Sequence, residues 1–247
     1  MKQHLKWLLP IFLFGIAAPF TPTIDLYVSE WFYAPSSVGR GTFYNNAMMQ
    51  FLFRYGEIFG FFSGGAAGLT FVLSFLLPKF KKWRQGALAC SLTLLLGAGI
   101  ITNSIFKQYW GRPRPKQIVE FGGHSVYRPF WRPDFNRTHE PQKSFPSGHV
   151  AMGFYFLSLC LAGRRYRNPL LFKAGLFFTL ALGGGLMLTR VAQGGHFVSD
   201  VLASALLMWL VALIIDALVF RWGEWERAAL YSKQRGISQE PDELSKV

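Results

Sequence analysis

The 247 residues are 51% hydrophobic with a mean hydropathy of +0.23, and the apolar residues are gathered in long runs that predict membrane spans rather than soluble domains. The formal charge of +13 does not indicate nucleic-acid binding, because the basic residues cluster in short segments between apolar runs and no recognition motif accompanies them. The two cysteines, Cys90 and Cys160, each lie inside an apolar run, which argues against a disulfide framework or a zinc knuckle.

The first apolar run, 7–20, follows a short basic start and admits two interpretations. A basic start, a short apolar stretch and the pair Ala17-Ala18 are features of a cleaved signal peptide. The cleavage site is poor, so we favour an uncleaved first span, lengthened by tilt or by residues 24–28. Residues 21–54 are mixed and rich in aromatic side chains that suit the membrane boundary, which predicts a loop with an interfacial helix.

The remaining apolar runs predict five further spans, at 57–77, 86–106, 146–163, 170–189 and 197–220. Basic clusters follow the second and fourth spans at 79–84 and 164–167, and the positive-inside rule places both in the cytoplasm. Both termini are then cytoplasmic, with 226–247 as a charged tail, and the polar segment 107–146 lies outside. The sequence has no internal repeat and predicts one all-α domain over 1–247, a polytopic bundle of six transmembrane helices.

Three polar clusters share this predicted outer side. The first runs from Lys107 to Pro115, and taken alone it is equally consistent with an anchor to anionic lipid head groups. The second opens the fourth span, where Pro146 suits the first position of a helix and the N–H groups of Ser147 and Gly148 are open to an anion. His149 follows and adds an ionisable proton donor beside that anion.

The third cluster contains Arg190, His196 and Asp200. His196 and Asp200 lie four residues apart at the start of a helix and therefore share one face. In that arrangement the carboxylate accepts the Nδ1–H of the imidazole and leaves Nε2 free as a nucleophile. A carboxylate entering an apolar helix costs free energy, which favours a functional role for Asp200 over that of a simple interfacial residue.

Together the three clusters offer fixed cations, two histidines and an open helix start. This set suits a phosphoryl group, whose charge is spread over several oxygens, and it needs no metal. A zinc site built from His149, His196 and Asp200 is the alternative. The surrounding cations would repel the ion, so the sequence predicts neither a metal nor a cofactor.

These residues resemble the type 2 phosphatidic acid phosphatase family. Its pattern is Lys, six residues, Arg-Pro; then Pro-Ser-Gly-His; then Ser-Arg, five residues, His, three residues, Asp. The three parts are matched by Lys107 with Arg114-Pro115, by 146–149, and by Arg190 with His196 and Asp200. Thr189 stands where the family usually has Ser, which keeps the hydroxyl. Arg112-Pro113 does not match the pattern, because the position seven residues before Arg112 is Ile105.

The resemblance implies a metal-independent phosphatase with a phosphohistidine intermediate. His196 would attack phosphorus, Asp200 would orient His196, and His149 would protonate the leaving oxygen before water releases the phosphate. The phosphoryl oxygens would be held by Lys107, Arg114, Ser147, Gly148 and Arg190. Vanadate-dependent haloperoxidases share these motifs but are soluble and larger, and glucose-6-phosphatase relatives have more spans than this sequence predicts.

An outer-face site between helices fits a lipid phosphate whose tail stays in a bacterial inner membrane. The candidate substrates are undecaprenyl pyrophosphate, phosphatidylglycerophosphate, phosphatidic acid and the phosphates of lipid A. The polar segment 107–146, called the long loop below, carries aromatic side chains that could contact the lipid tail or equally pack within the loop. They are Tyr127, Phe130, Trp131 and Phe135.

Two other functions remain open at this point. A phosphotransferase would pass the phosphoryl group from the same histidine to another lipid. A non-enzymatic transporter or lipid-binding membrane protein would place polar residues at mid-bilayer in broken spans, and the available ones lie near span ends: Glu57, Asn103 and Asp216.

Overall fold

The computed structural model describes residues 8–37, 41–135 and 141–234, with side chains described as far as residue 221. The described elements are almost all helical: α1 Leu9–Trp31, α2 Ala47–Leu76, α3 Pro78–Lys81, α4 Arg84–Tyr109, α5 Gly148–Phe154, α6 Leu157–Arg165, α7 Pro169–Ala192 and α8 Val198–Gln234. A small antiparallel hairpin, β1 Tyr33–Ala34 with β2 Thr42–Phe43, lies between α1 and α2. Parts of α4 and α7 are wound as π-helix, over Thr93–Phe106 and Thr179–Gly184.

Five of the described helices are long and apolar enough to cross a membrane, namely α1, α2, α4, α7 and the part Val198–Arg221 of α8. The helical membrane fold predicted from the sequence is therefore confirmed. The fourth predicted span instead consists of two short helices, α5 and α6, separated by a turn at Tyr155 and Phe156. The count of six spans consequently stays a prediction.

The predicted loop 21–54 is too long, because α1 continues to Trp31 and α2 begins at Ala47. The reason is a polar stripe on α1 that is buried in the protein, consisting of Thr21, Asp25 and Ser29. These residues recur every four positions and therefore share one helix face. Asp25 contacts polar partners inside the bundle, and the Thr21 hydroxyl donates to the carbonyl oxygen of Ala18 on its own helix.

The short helix α5 lies at the centre of the bundle, and small residues let its neighbours approach closely. A Cβ added to Gly153 would lie 2.6 Å from the Cα of Gly183 on α7, and one added to Gly60 of α2 would lie 2.8 Å from the Cε of Met152. The apolar core around α5 comprises Ala98, Ala151, Met152, Tyr155, Phe156 and Met208. Packing on several sides thus fixes the chain that carries the second motif.

The two basic loops lie together at one end of the bundle. The backbone N–H of Gly86 donates a hydrogen bond of 2.8 Å to the Tyr166 hydroxyl, and the rings of Trp83 and Tyr166 are 4.8 Å apart. The three polar clusters lie toward the other end, where α4 and α7 finish and α5 and α8 begin. At the chain's end, α8 continues as helix into the predicted tail as far as Gln234, and residues 235–247 lie outside the described part.

Candidate active site

His196 lies in the connection between α7 and α8, and hydrogen bonds of the backbone hold it there. The N–H groups of Gly195 and His196 both donate to the carbonyl oxygen of Arg190, at 3.0 and 3.1 Å. A side chain at residue 195 would displace the guanidinium of Arg190, so glycine lets that group lie against the backbone here. The third motif therefore brings its arginine and its first histidine together, and the His196 side chain is buried.

The predicted hydrogen bond from His196 to Asp200 is wrong. The Nδ1 atom of His196 lies 2.5 Å from the backbone carbonyl oxygen of Ser144, whereas the Asp200 carboxylate is 3.9 Å away. Asp200 is occupied elsewhere, because it accepts hydrogen bonds from the Ser144 hydroxyl at 2.6 Å and from the N–H of Phe197 at 2.9 Å. Asp200 thus reaches the imidazole through Ser144, and the Ser144 carbonyl selects the tautomer that carries its proton on Nδ1.

The environment keeps His196 uncharged. Burial lowers its pKa well below the ordinary value near 6.5, and the positive charges of Arg190, Arg114 and Lys107 act in the same direction. The imidazole is therefore neutral at physiological pH. With Nδ1–H donated to a carbonyl, Nε2 carries the lone pair that a nucleophile needs.

This lowered pKa gives a prediction about stability. As the pH falls below about 6.5, the unfolded chain binds a proton on residue 196 that the folded protein does not bind. The contribution of the neutral His196 to the free energy of unfolding is fully present above that pH. It is lost as the pH falls, by at most about 1.4 kcal/mol per pH unit. The drop in melting temperature between about pH 7.5 and pH 5 should be smaller in His196→Gln than in the wild type. An equal drop in both proteins would show that the pKa of His196 is not lowered in the folded protein.

Behind Asp200 lies a buried ion cluster that the sequence analysis missed. Arg112 contacts Asp25 of α1 at 2.7 Å and also pairs with Asp200, and all three side chains are fully buried. Ser199 donates to Asp25 from its N–H at 2.8 Å and from its hydroxyl at 2.6 Å. The Tyr127 hydroxyl donates to the same carboxylate at 3.0 Å. Tyr127 therefore belongs to this cluster, rather than to a seat for a lipid tail.

The charges in this cluster compensate one another. Burial alone would lower the pKa of Arg112, but Asp200 and Asp25 outweigh it and raise that pKa above its ordinary value. Burial, with the nearby Asp25 carboxylate, raises the pKa of Tyr127, which remains a neutral donor. The hydrogen-bond pattern thus links α1, the long loop and α8 to the segment that holds His196.

Three residues predicted to bind phosphate have buried polar atoms without a hydrogen-bond partner in the described part of the chain. They are Nε of Arg114, Oγ of Ser147 and Nε of Arg190. Buried donors of this kind are nearly always satisfied in native proteins, by the protein itself, by water or by a ligand. Burial also lowers the pKa of Arg114, although the nearby Asp200 opposes the change. Arg114 and Arg190 also line one cavity, where a bound anion would accept hydrogen bonds from both.

The remaining predicted phosphate ligands lie at the adjoining helix ends. Lys107 lies in the last turn of α4, beside the start of α5. A Cβ added to Gly148 would lie 3.1 Å from the Nζ atom of Lys107. The predicted start of α5 needs correction, because the helix begins at Gly148 with Ser147 as its N-cap, so Pro146 is not its first residue. The N–H of Ser147 is not open either, since it donates to the hydroxyl of Ser204 at 2.6 Å.

His149 is the second residue of α5, and its ring stacks against that of Phe53 on α2, with ring centroids 4.8 Å apart. The guanidinium of Arg190 lies 4.6 Å from the same Phe53 ring, which places His149 and Arg190 around one side chain. Lys107, Arg114 and Arg190 act electrostatically on both His149 and His196. The structure thus brings the predicted residues of all three motifs to one place.

A cavity of about 440 Å³ opens onto this place, and it is lined by Arg114, Lys116 and Arg190 among other residues. Its other walls are aromatic and amide side chains: Phe43, Phe53, Phe121, Asn45, Gln50 and Gln193. Within the described residues, no three His, Cys, Asp or Glu side chains are grouped closely enough to hold a metal ion, His149, His196 and Asp200 included. The arrangement is that of an anion site with two histidines at its edge.

Comparison with known proteins gives consistent matches. The sequence model of the PAP2 superfamily matches residues 87–224. A lipid A 4'-phosphatase of Francisella tularensis subsp. novicida is 32% identical over 199 residues, covering 75% of this chain and 86% of that protein. A lipid A 4'-phosphatase of Rhizobium leguminosarum is 26% identical over 212 residues, covering 79% and 85%. A phosphatidylglycerophosphatase B of Haemophilus influenzae is 27% identical over 174 residues, covering 60% and 71%. No solved structure matches the chain.

Proposed function

This chain belongs to the PAP2 superfamily and is a membrane lipid phosphatase, and on that premise we propose that it removes a phosphate monoester from a lipid A-type glycolipid. The proposed route is a phosphohistidine intermediate on His196, without a metal. The unpaired buried donors of Arg114, Ser147 and Arg190 carry this proposal, because a phosphoryl group would supply the hydrogen-bond acceptors that they lack.

In the first step, the Nε2 lone pair of His196 attacks phosphorus. The P–N bond forms as the bond to the lipid oxygen breaks, and His149 gives a proton to that oxygen. The negative charge on the equatorial oxygens is stabilised by a set of donors: Lys107, Arg114, Ser147, Gly148 and Arg190. Asp200 acts through Ser144, whose carbonyl oxygen holds the Nδ1–H of His196.

In the second step, water attacks the phosphohistidine. His149, now neutral, accepts a proton from the water as the new P–O bond forms and the P–N bond breaks. Inorganic phosphate leaves, and His196 returns to its neutral form with the proton still on Nδ1. Each turnover consumes one water molecule and needs no other reactant.

The glycolipid assignment rests on the relatives and on the cavity. Two relatives that match most of the chain are named lipid A 4'-phosphatases. The cavity beside the cations has aromatic and amide walls, a lining that suits a sugar head group with hydroxyls along its edge and an apolar C–H face. A smaller glycerol head group would leave much of this lining without contact.

The protein is a bacterial membrane protein, and we propose that it lies in the inner membrane with its site facing outward. The basic loops at the end of the bundle opposite the site support this orientation, since such loops favour the cytoplasmic side. Both termini are then cytoplasmic. An apolar cavity of about 430 Å³ between α1, α8 and the long loop, lined in part by Phe130, Trp131 and Phe145, is the proposed place for an acyl chain.

A phosphate-release assay on the purified protein tests the substrate. We expect kcat/KM to be at least about tenfold higher for lipid A carrying a 4'-phosphate than for phosphatidic acid, phosphatidylglycerophosphate or undecaprenyl pyrophosphate. The reason is that only the glycolipid has a sugar head group to contact the aromatic and amide walls of the cavity beside the cations. Mass spectrometry should find the product without its 4'-phosphate, and a chelator should leave the rate unchanged.

Three outcomes would each remove part of the proposal. Faster turnover of phosphatidic acid would reject the glycolipid, and loss of the rate with chelator would reject metal independence. Transfer of labelled phosphate to an added acceptor lipid, in place of release as free phosphate, would favour the phosphotransferase.

A further inference from the structure

Glu57 is an acidic residue of α2 that the sequence analysis considered only for a transport path. It lies outside the region that matches the PAP2 superfamily, which begins at residue 87. Its Oε1 atom is 3.2 Å from Nδ1 of His149, and its side chain is one-third exposed. Neither the attack by His196 nor the hydrolysis step proposed above uses the contact between Glu57 and His149.

Both ring nitrogens of His149 face an oxygen. Nδ1 faces the Glu57 carboxylate, and Nε2 lies 3.2 Å from the backbone carbonyl oxygen of Phe53. A neutral imidazole has one N–H and one lone pair, so it donates to only one of these oxygens. Both contacts are hydrogen bonds if the ring carries two protons or if the Glu57 carboxyl carries one. The geometry therefore favours a pair that holds one extra proton.

The charges around the pair show why the ring needs an acidic partner. Burial disfavours a positive charge on His149, and the charges of Arg190 of α7, Lys107 of α4 and Arg114 of the long loop act in the same direction. Among the described side chains, Glu57 is the acid in ion-pair contact with this ring. The carboxylate offsets the three cations locally and favours the imidazolium that a general acid must be.

We propose that Glu57 positions the general acid: it accepts the Nδ1–H of His149 and keeps the ring protonated until the leaving oxygen takes the Nε2 proton. This inference rests on the proposed function. As the bond from phosphorus to the leaving oxygen breaks and the bond to His196 forms, the Nε2 proton moves to the leaving oxygen. In hydrolysis the attacking water returns a proton to Nε2, and the Phe53 carbonyl holds it between turnovers.

The substitution Glu57→Gln tests the charge while preserving size and hydrogen bonding. We expect kcat on an alkyl lipid phosphate to fall roughly 10- to 100-fold with little change in KM, and kcat on an aryl phosphate to fall less than about threefold, because an aryl leaving group needs no proton. The basic limb of the pH profile on the alkyl ester should move to lower pH, since burial and the charges of Arg190, Lys107 and Arg114 then act on His149 without the Glu57 carboxylate to offset them. Glu57→Asp should restore part of the rate.

Two comparisons separate this role from a structural one. Arg54→Gln removes a charge at an exposed position of the same helix and should behave as the wild type on both esters. The double variant Glu57→Gln with His149→Ala should be no slower than His149→Ala alone, because the two residues act as one unit. Equal losses on alkyl and aryl esters, or additive losses in the double variant, would overturn the inference. The proposed function would fail separately, if a variant without His196 kept its activity.

Discussion

Replacing His196 with alanine should reduce kcat on every lipid phosphate by about 10⁴-fold or more, to the level of the assay background. The side chain is buried, and its Nδ1 is held by the Ser144 carbonyl, so Nε2 is the attacking atom and alanine has nothing to replace it. Rapid quenching with substrate labelled in the phosphate should trap acid-labile label on the wild-type protein, and the His196→Ala variant should retain none.

The matched control is His124→Ala, which removes another imidazole of the described chain from a loop position that is not buried. It should keep wild-type turnover and wild-type labelling. The variant His196→Gln adds a second control, because it retains most of the side-chain volume and separates lost chemistry from a cavity in the fold. Substantial activity in both His196 variants would reject the phosphohistidine route, whichever lipid proved to be the substrate.

Hydropathy and motif spacing predicted the general arrangement of the molecule for a simple physical reason. Long apolar runs must be helical in a bilayer, because no water is available there for unpaired backbone groups. Basic residues at the ends of those runs then sort the loops into two sides, and the structure gathers the three motifs at one end. The spans and the side of each loop can therefore be predicted from the local sequence, without knowing which helices contact each other.

The contacts behind the motifs could not be predicted in the same way. The mixed composition and interfacial aromatics of 21–54 predict a loop around Asp25, yet Asp25 is buried on α1 against Arg112. Arg112 misses the motif spacing, so the motif predicts no role for it. Its role depends on two carboxylates that are 87 or more residues away along the chain. The sequence does contain one hint, because Thr21, Asp25 and Ser29 recur every four positions and would share one face of a helix.

The interpretation of Asp200 shows a similar limit. A spacing of four residues predicts a shared helix face only where both residues belong to the helix, and it does not predict which partner each side chain contacts. His196 precedes the helix, which begins at Val198, and the Ser144 carbonyl lies closer to its Nδ1 than the carboxylate does. The loop that supplies Ser144 is fixed by tertiary packing, which no spacing rule contains.

The second large effect is expected from Arg112→Met, which leaves Asp25 and Asp200 buried without their shared cation. Removing one partner from a buried ion pair typically costs about 3–5 kcal/mol, because the remaining charge keeps its desolvation penalty. The variant should therefore melt well below the wild type in detergent. Its kcat should fall at least about 100-fold, since Asp200 also holds the Ser144 segment that orients His196.

Arg128→Met is the control, because Arg128 lies in the same loop and pairs with Asp134 at 3.0 Å while 42% of its side chain is exposed. An exposed pair contributes at most about 1 kcal/mol, so this variant should stay close to the wild type in both stability and rate. Arg112→Lys should be intermediate, because an ammonium keeps the charge but lacks the planar fork that reaches both carboxylates. If Arg112→Met and Arg128→Met proved equally mild, the buried cluster would have no part in holding the nucleophile, and Ser144 would have to be fixed by its packing alone.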